Sequence, residues 1–147
     1  MSVDYLVDTN VLVTAYDRSK RLKQEMAFDL LNQLTQDGNA AVSTQVLAEF
    51  FAVTTRQLSA PLTVGEAYQS LENYLCAWQV LEITGLVAVE AARGVNDHQF
   101  NYWDAQIWAT AKLNQIAVVL SEDFGSGSVV EGVRFLDPFA AYFNLRE

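Results

Sequence analysis

Asp8 interrupts the apolar stretch YLVDTNVLV, and Asp123 follows the apolar run IAVVLSE. Two further acids, Glu49 in VLAEFF and Asp104 in YWDAQIWATA, lie in segments whose apolar residues recur at helical spacing. At about 100° per residue, Asp104 falls within a stripe formed by Trp103, Ile107, Trp108 and Ala111. Asn101 offers it a bland role, since an acid three residues after a cap completes a capping box and suits the helix dipole. Yet the stripe points it into the core with the tryptophans. An unpartnered buried carboxylate costs on the order of several kcal/mol, so a cation would have to compensate it. Glu49 sits on the margin of its own stripe, where an ordinary surface glutamate is the usual outcome.

If Asp8, Glu49, Asp104 and Asp123 converge, their mutual repulsion would drive proton uptake unless a divalent cation intervened. Oxygen ligands suit Mg²⁺ or Mn²⁺, and such a site can polarise a phosphoryl oxygen and generate a nucleophile from water. Asn10, Ser43 and Ser121 are the candidates to orient these acids by hydrogen bonding. Glu122 adjoins Asp123, which leaves two candidates for the fourth acid. Phosphodiester hydrolysis is the reaction that fits this set best.

The elements that would position these groups alternate. Strands are expected at Val3–Val7, Ala40–Ser43, Trp78–Thr84, Ile116–Ser121 and Val133–Leu136. Helices are expected from Arg21 to Gln36, from Thr44 to about Leu58, from Thr63 with Glu66 as a capping box, from about Leu86 to Val95, and from Asn101 to about Asn114. A last helical turn is expected at PFAAYF. The alternation predicts an α/β fold, a central parallel sheet of four to five strands with helices on both faces. Ligands of such sheets bind beyond the carboxyl ends of the strands, where Asp8 and Asp123 fall. The helix carrying Glu49 begins directly after the second strand and points its first turns at the same edge.

Across 147 residues, apolar types make up 51% and charged types 18%, the balance of a soluble globular chain, and a single domain over 1–147 is expected. No apolar run approaches the roughly 18 residues of a membrane span. The N-terminus lacks the pattern of a secretion signal, and the lone Cys76 excludes an internal disulfide, so the cytoplasm is the simplest location. A net charge of −9 argues against a general nucleic-acid coat. Even so, Arg18, Lys20, Arg21 and Lys23 concentrate four of the nine basic residues into one short run. That run reads equally as a solvated helix start and as a phosphate-contacting patch.

LVDTNVLV, VLAEFF, YWDAQIWATA and LSEDFGSG…VEGVRFLDPF, in this order, resemble PIN-domain ribonucleases, and more narrowly the VapC-type toxins of bacterial toxin–antitoxin pairs. The resemblance implies a three-layer fold and an acidic quartet binding Mg²⁺ or Mn²⁺, with Asp8, Glu49, Asp104 and Asp123 at the matching positions. Asn10 matches the polar residue following the first acid. It also implies an RNA substrate, an antitoxin partner and a homodimer.

Other chemistries fit less well. A haloacid-dehalogenase-like phosphatase needs an Asp where Asn10 stands, and a receiver domain needs an acidic pair and a late lysine. GSGSVVEG lacks the phosphate-loop lysine and reads as a flexible loop beside the site. The only histidine, His98, lies in a polar turn without a nucleophile elbow and is expected to be exposed or capping. A binding or scaffolding module is the non-enzymatic alternative. Tyr102, Trp103 and Trp108 could stack bases, but aromatics at helical spacing are more often core, the role expected for both tryptophans.

Overall fold

The computed structural model describes residues 3–145, so the first two and last two residues of the expected domain lie outside the described stretch. Its centre is β1 (Tyr5–Val7), parallel to both β2 (Ala40–Ser43) and β4 (Val118–Leu120). All four residues of β2 are buried, as are Leu6 and Val7, so both faces of the sheet are covered. β3 (Gln79–Leu81) extends the sheet beyond β2, and β6 (Val133–Leu136) extends it beyond β4. The sheet has six strands in the order β3-β2-β1-β4-β6-β5, one more than the upper expectation.

The extra strand is β5 (Val129–Val130), antiparallel to β6. The two are joined by Glu131 and Gly132, both at positive φ (48° and 86°). Positive φ at both central residues is what a tight hairpin needs to match strand twist. The glycine-rich stretch before it is tied back to β6, with Gly127 N–H donating to the Phe135 carbonyl at 2.6 Å.

Among the described residues, six helices complete the fold. α2 (Arg21–Asp37) buries Ala27, Leu30, Leu31 and Leu34 at the expected spacing and ends on Gly38 in the left-handed conformation. α3 (Thr44–Arg56) follows β2 without a linker, with the Ser43 hydroxyl accepting from Val46 N–H. α4 (Val64–Ala77) has the Thr63–Glu66 capping box in full. α5 (Gly85–His98) and α6 (Tyr102–Leu113) pack against each other through Gly94, which lets the Trp108 ring approach the α5 backbone. Trp108, Phe50 and Phe135 are the largest fully buried side chains. No helix among the described residues is long and apolar enough to cross a membrane.

Two expectations about local structure are corrected. A short helix, α1 (Thr9–Thr14), starts directly after Asp8, where no helix was expected, because Asp8 caps it by accepting from Thr9 N–H. PFAAYF forms no helix: the Asp137 side chain accepts from Phe139 N–H, and two four-residue turns follow, closed by Ala140 N–H to the Asp137 carbonyl and by Phe143 N–H to the Ala140 carbonyl.

Candidate metal centre at the sheet edge

Strands are added to one side of β1 as far as β3 and to the other side from β4 onward. The strand order therefore reverses between β1 and β4, the point at which open α/β sheets leave a crevice. The ladder carries on past both strands there. Asp8 N–H donates to the Leu120 carbonyl at 2.9 Å, and Ser121 N–H donates to the Leu136 carbonyl at 3.0 Å. These backbone bonds fix Asp8 and Ser121 side by side.

The side chains then lock together. Ser121 Oγ donates to Asp8 Oδ2 at 2.7 Å and accepts from Asn10 Nδ2 at 3.1 Å and from Asp123 N–H at 3.1 Å. Asn10 Oδ1 accepts from Glu122 N–H at 3.3 Å. Asn10 and Ser121 thus hold both Asp8 and the segment that carries Asp123. Ser43 is elsewhere: it is fully buried and caps α3, which aims the helix bearing Glu49. Its hydroxyl is engaged at the start of α3 and not on the acids it was expected to orient.

Asp8, Asp104 and Asp123 offer carboxylate oxygens that all lie within 4.8 Å of one another. Glu49 lines the same cavity of about 270 Å³ from the α3 side and stands outside this tight group. It accepts from Thr9 Oγ1 at 3.3 Å, which gives Thr9 a tethering contact in addition to its place at the start of α1. Glu122 turns the other way and pairs with Lys23 at 2.9 Å, leaving Asp123 as the acid that faces the cluster.

Electrostatics follow from this packing. Burial dominates in pushing the Asp8 carboxyl up to about 7, aided by the charges of Asp123 and Asp104 and opposed by its bonds from Ser121 and Thr9. Asp104 is also raised, first by burial and then by Asp123 and Glu49. None of the described residues lining the cavity is Lys, Arg or His. A crowded, partly desolvated set of hard oxygen donors without a basic counterion fits Mg²⁺ or Mn²⁺ by donor chemistry.

Asp104 is half-buried rather than in the core, and Trp103 is 60% exposed, contrary to the core position expected for it. Helical spacing assigned them to an inner stripe, and Ile107, Trp108 and Ala111 do obey it. The first turn of α6, however, lies at the sheet edge beside Asp8 and Asp123, where there is less to pack against. Asn101 caps the helix at Trp103 N–H, and among the described residues Asp104 completes no capping box with it.

Of the basic run, Arg18 and Lys20 are exposed, Arg21 lies 3.7 Å from Glu25, and Lys23 is engaged by Glu122. His98 is half-buried, with Nε2 at 2.6 Å from Glu131 and its ring against Phe100 and Trp108. It belongs to an ionic cluster with Glu90, Arg93 and Lys112 that covers Trp108, away from the acids.

Fold and site together define a three-layer α/β domain with an acidic cluster at the switch point of a mostly parallel sheet. The chain belongs to the PIN domain family, whose model matches residues 5–125. No curated protein matches. Among solved structures, a toxin–antitoxin complex from Klebsiella pneumoniae superposes with a TM-score of 0.67 at 18% identity, covering 92% of this chain and 98% of that one. DNA-bound VapBC from Salmonella typhimurium gives 0.66 at 16% identity, covering 92% and 98%. The sarcin-ricin loop cleaving toxin VapC20 of Mycobacterium tuberculosis gives 0.60 at 15% identity, covering 78% and 86%.

Proposed function

We propose that this chain, acting as one domain over 1–147, is a divalent-metal-dependent endoribonuclease and the toxin of a toxin–antitoxin pair. The observation that carries the reading is the cluster of Asp8, Asp104 and Asp123 within 4.8 Å, with no basic residue among the described residues that line its cavity. Membership in the PIN family supports nuclease chemistry. The Klebsiella and Salmonella assemblies support a protein antitoxin, and VapC20 supports an RNA target.

Asp8, Asp104 and Asp123 would hold Mg²⁺ or Mn²⁺, with Glu49 contributing from the α3 wall. When bound, the ion neutralises the acids and supplies Lewis acidity and an activated water for phosphodiester hydrolysis. The rest falls to the chain itself. Asn10 and Ser121 keep Asp8 in one rotamer, and Ser121 favours its charged form by donating to it. Ser43 fixes the start of α3 and so the reach of Glu49. Arg18 and Lys20, both exposed, are better placed to meet the RNA backbone than Arg21 and Lys23, which face Glu25 and Glu122. A cytoplasmic homodimer is part of the same reading.

Asp104→Asn tests it. Cleavage of RNA in Mg²⁺ or Mn²⁺ should fall by about 100-fold or more, beyond what loss of an outer hydrogen-bond partner costs. Wild-type rates in that variant would remove the catalytic model. RNA bound but not cut by the wild type under any divalent ion would leave a binding module. A small DNA-binding protein encoded next to this chain and co-purifying with it would support the toxin assignment.

A further inference from the structure

Trp103 is 60% exposed, whereas Trp78 and Trp108 are 7% and 0% exposed. An indole left in water forfeits a large apolar burial, so the neighbourhood that holds it there is informative. The ring stands edge-on to Tyr102, with centroids 5.1 Å apart and planes at 84°. Beneath it runs a chain of hydrogen bonds. Tyr102 Oη donates to Gln106 Oε1 at 2.9 Å, Gln106 Nε2 donates to Gln45 Oε1 at 2.9 Å, and Gln45 Nε2 donates to the Trp103 carbonyl at 3.2 Å. Gln106 is only 6% exposed, which makes this circuit a fixed floor.

Trp103, Gln45 and Glu49 form a wall shared by the acidic cavity and a second one of about 430 Å³, completed by Ala48 and Ile83. That volume lies within the roughly 300–1,000 Å³ of small-ligand sites. The side-chain amide of Gln45, bonded once at each end, still has one N–H and one oxygen lone pair to offer. The second cavity therefore presents a flat π-face and a polar edge-reader, without a basic residue among the described residues that line it. A phosphate finds no positive charge among the described residues there. An uncharged heteroaromatic ring has both a face and an edge to match.

We propose that this second cavity seats a nucleobase of the RNA strand, stacked on Trp103 with its edge meeting Gln45, while the adjoining phosphodiester reaches the acids. The assignment rests on the proposed action on RNA. It makes Trp103, one residue before Asp104, the stacking contact that positions the strand, and Gln45 the group that meets the base edge.

The test uses a mixed-sequence single-stranded RNA decamer in Mg²⁺, on an Asp104→Asn background so that cutting does not confound binding. Tryptophan emission should be quenched as the decamer is added, because Trp103 is the exposed indole of the three. Trp103→Ala should abolish the quench and weaken binding about 5- to 150-fold, the range of base–aromatic stacking. Trp103→Phe should restore most of the affinity. A decamer with abasic central positions should bind the Trp103 protein as weakly as the intact decamer binds the Trp103→Ala protein. Equal affinity of Trp103→Ala and Trp103 proteins overturns the proposal, as does tight binding of the abasic strand. An emission unmoved by RNA, with acrylamide access to Trp103 lost only in a complex with a co-purified protein, overturns it in favour of a protein contact. In Asp104-containing protein, absence of cutting bears on the nuclease reading alone, and the stacking outcome is read separately.

Discussion

The Ser121 hydroxyl donates to the Asp8 carboxylate across 113 residues of chain, at 2.7 Å and in full burial. It opposes the burial that pushes the Asp8 carboxyl up. Ser121→Ala should therefore raise the Asp8 pKa further and weaken Mn²⁺ binding about 10- to 100-fold. Titration calorimetry with Mn²⁺ across pH checks this. Affinity unchanged at every pH would show that Ser121 does not tune Asp8.

Metal-free protein should lose stability as pH rises from about 4 to 7. In that window the folded state keeps a proton on Asp8, whose carboxyl is pushed up to about 7, while the unfolded chain has released it. The native state binds more protons than the unfolded one, so stability is full at low pH and declines through the window. Its size is on the order of 4 kcal/mol, from a displacement of about three pH units. Thermal melts in EDTA between pH 4.5 and 8 measure the slope. Asp8→Asn should remove most of it, and Mn²⁺ should raise the melting temperature more at pH 8 than at pH 5.

The neighbours Glu122 and Asp123 should behave differently. Glu122→Gln breaks a half-exposed pair with Lys23, a contact of the class contributing about 0–1 kcal/mol, and should leave cleavage within about threefold. Asp123→Asn removes a member of the three-acid cluster and should weaken Mn²⁺ binding about tenfold or more. Comparable losses in both variants would mean that the Lys23 pair positions the cluster.

Gly94→Ala sets helix propensity against packing. Alanine gains about 1 kcal/mol in a helix interior. Its Cβ, however, would stand 2.7 Å from Trp108 Cζ3 and 3.2 Å from Phe100 Cδ2, both ring atoms that cannot fold aside. Overpacking of this kind costs about 1–3 kcal/mol, so a net loss of about 1 kcal/mol is expected in the urea midpoint.

Most of the architecture is written locally. The AAVS and VRFL strands, the Thr63 capping box and the Gly38 stop each follow from a few adjacent residues. α1 is missed because Asp8 serves both strand end and helix cap, and six residues are too few to establish a period. β5 is missed because two valines carry no alternation, although the Glu131–Gly132 pair behind them is a hairpin turn. The approach of Asp8 and Asp123 was inferable from strand-end placement. Asp104 is singled out by a stripe that puts it in the core, and helix direction speaks for Glu49, which stands outside the tight group. The exposure of Trp103 was not inferable, since periodicity says which face a residue takes and nothing of where the covering sheet stops.

β1 lies in the middle of the sheet, yet its second neighbour, β4, is reached only at Val118. A ribosome delivers the amino-terminal part first. Until the chain has grown past Leu120, β1 keeps an open edge and lacks both the Ser121 hydroxyl and the Asp123 carboxylate. A chain that stops short of Asp123 thus lacks a member of the acidic cluster, whatever its helices have already formed. The three-acid cluster therefore comes into being only once the chain has grown past Asp123.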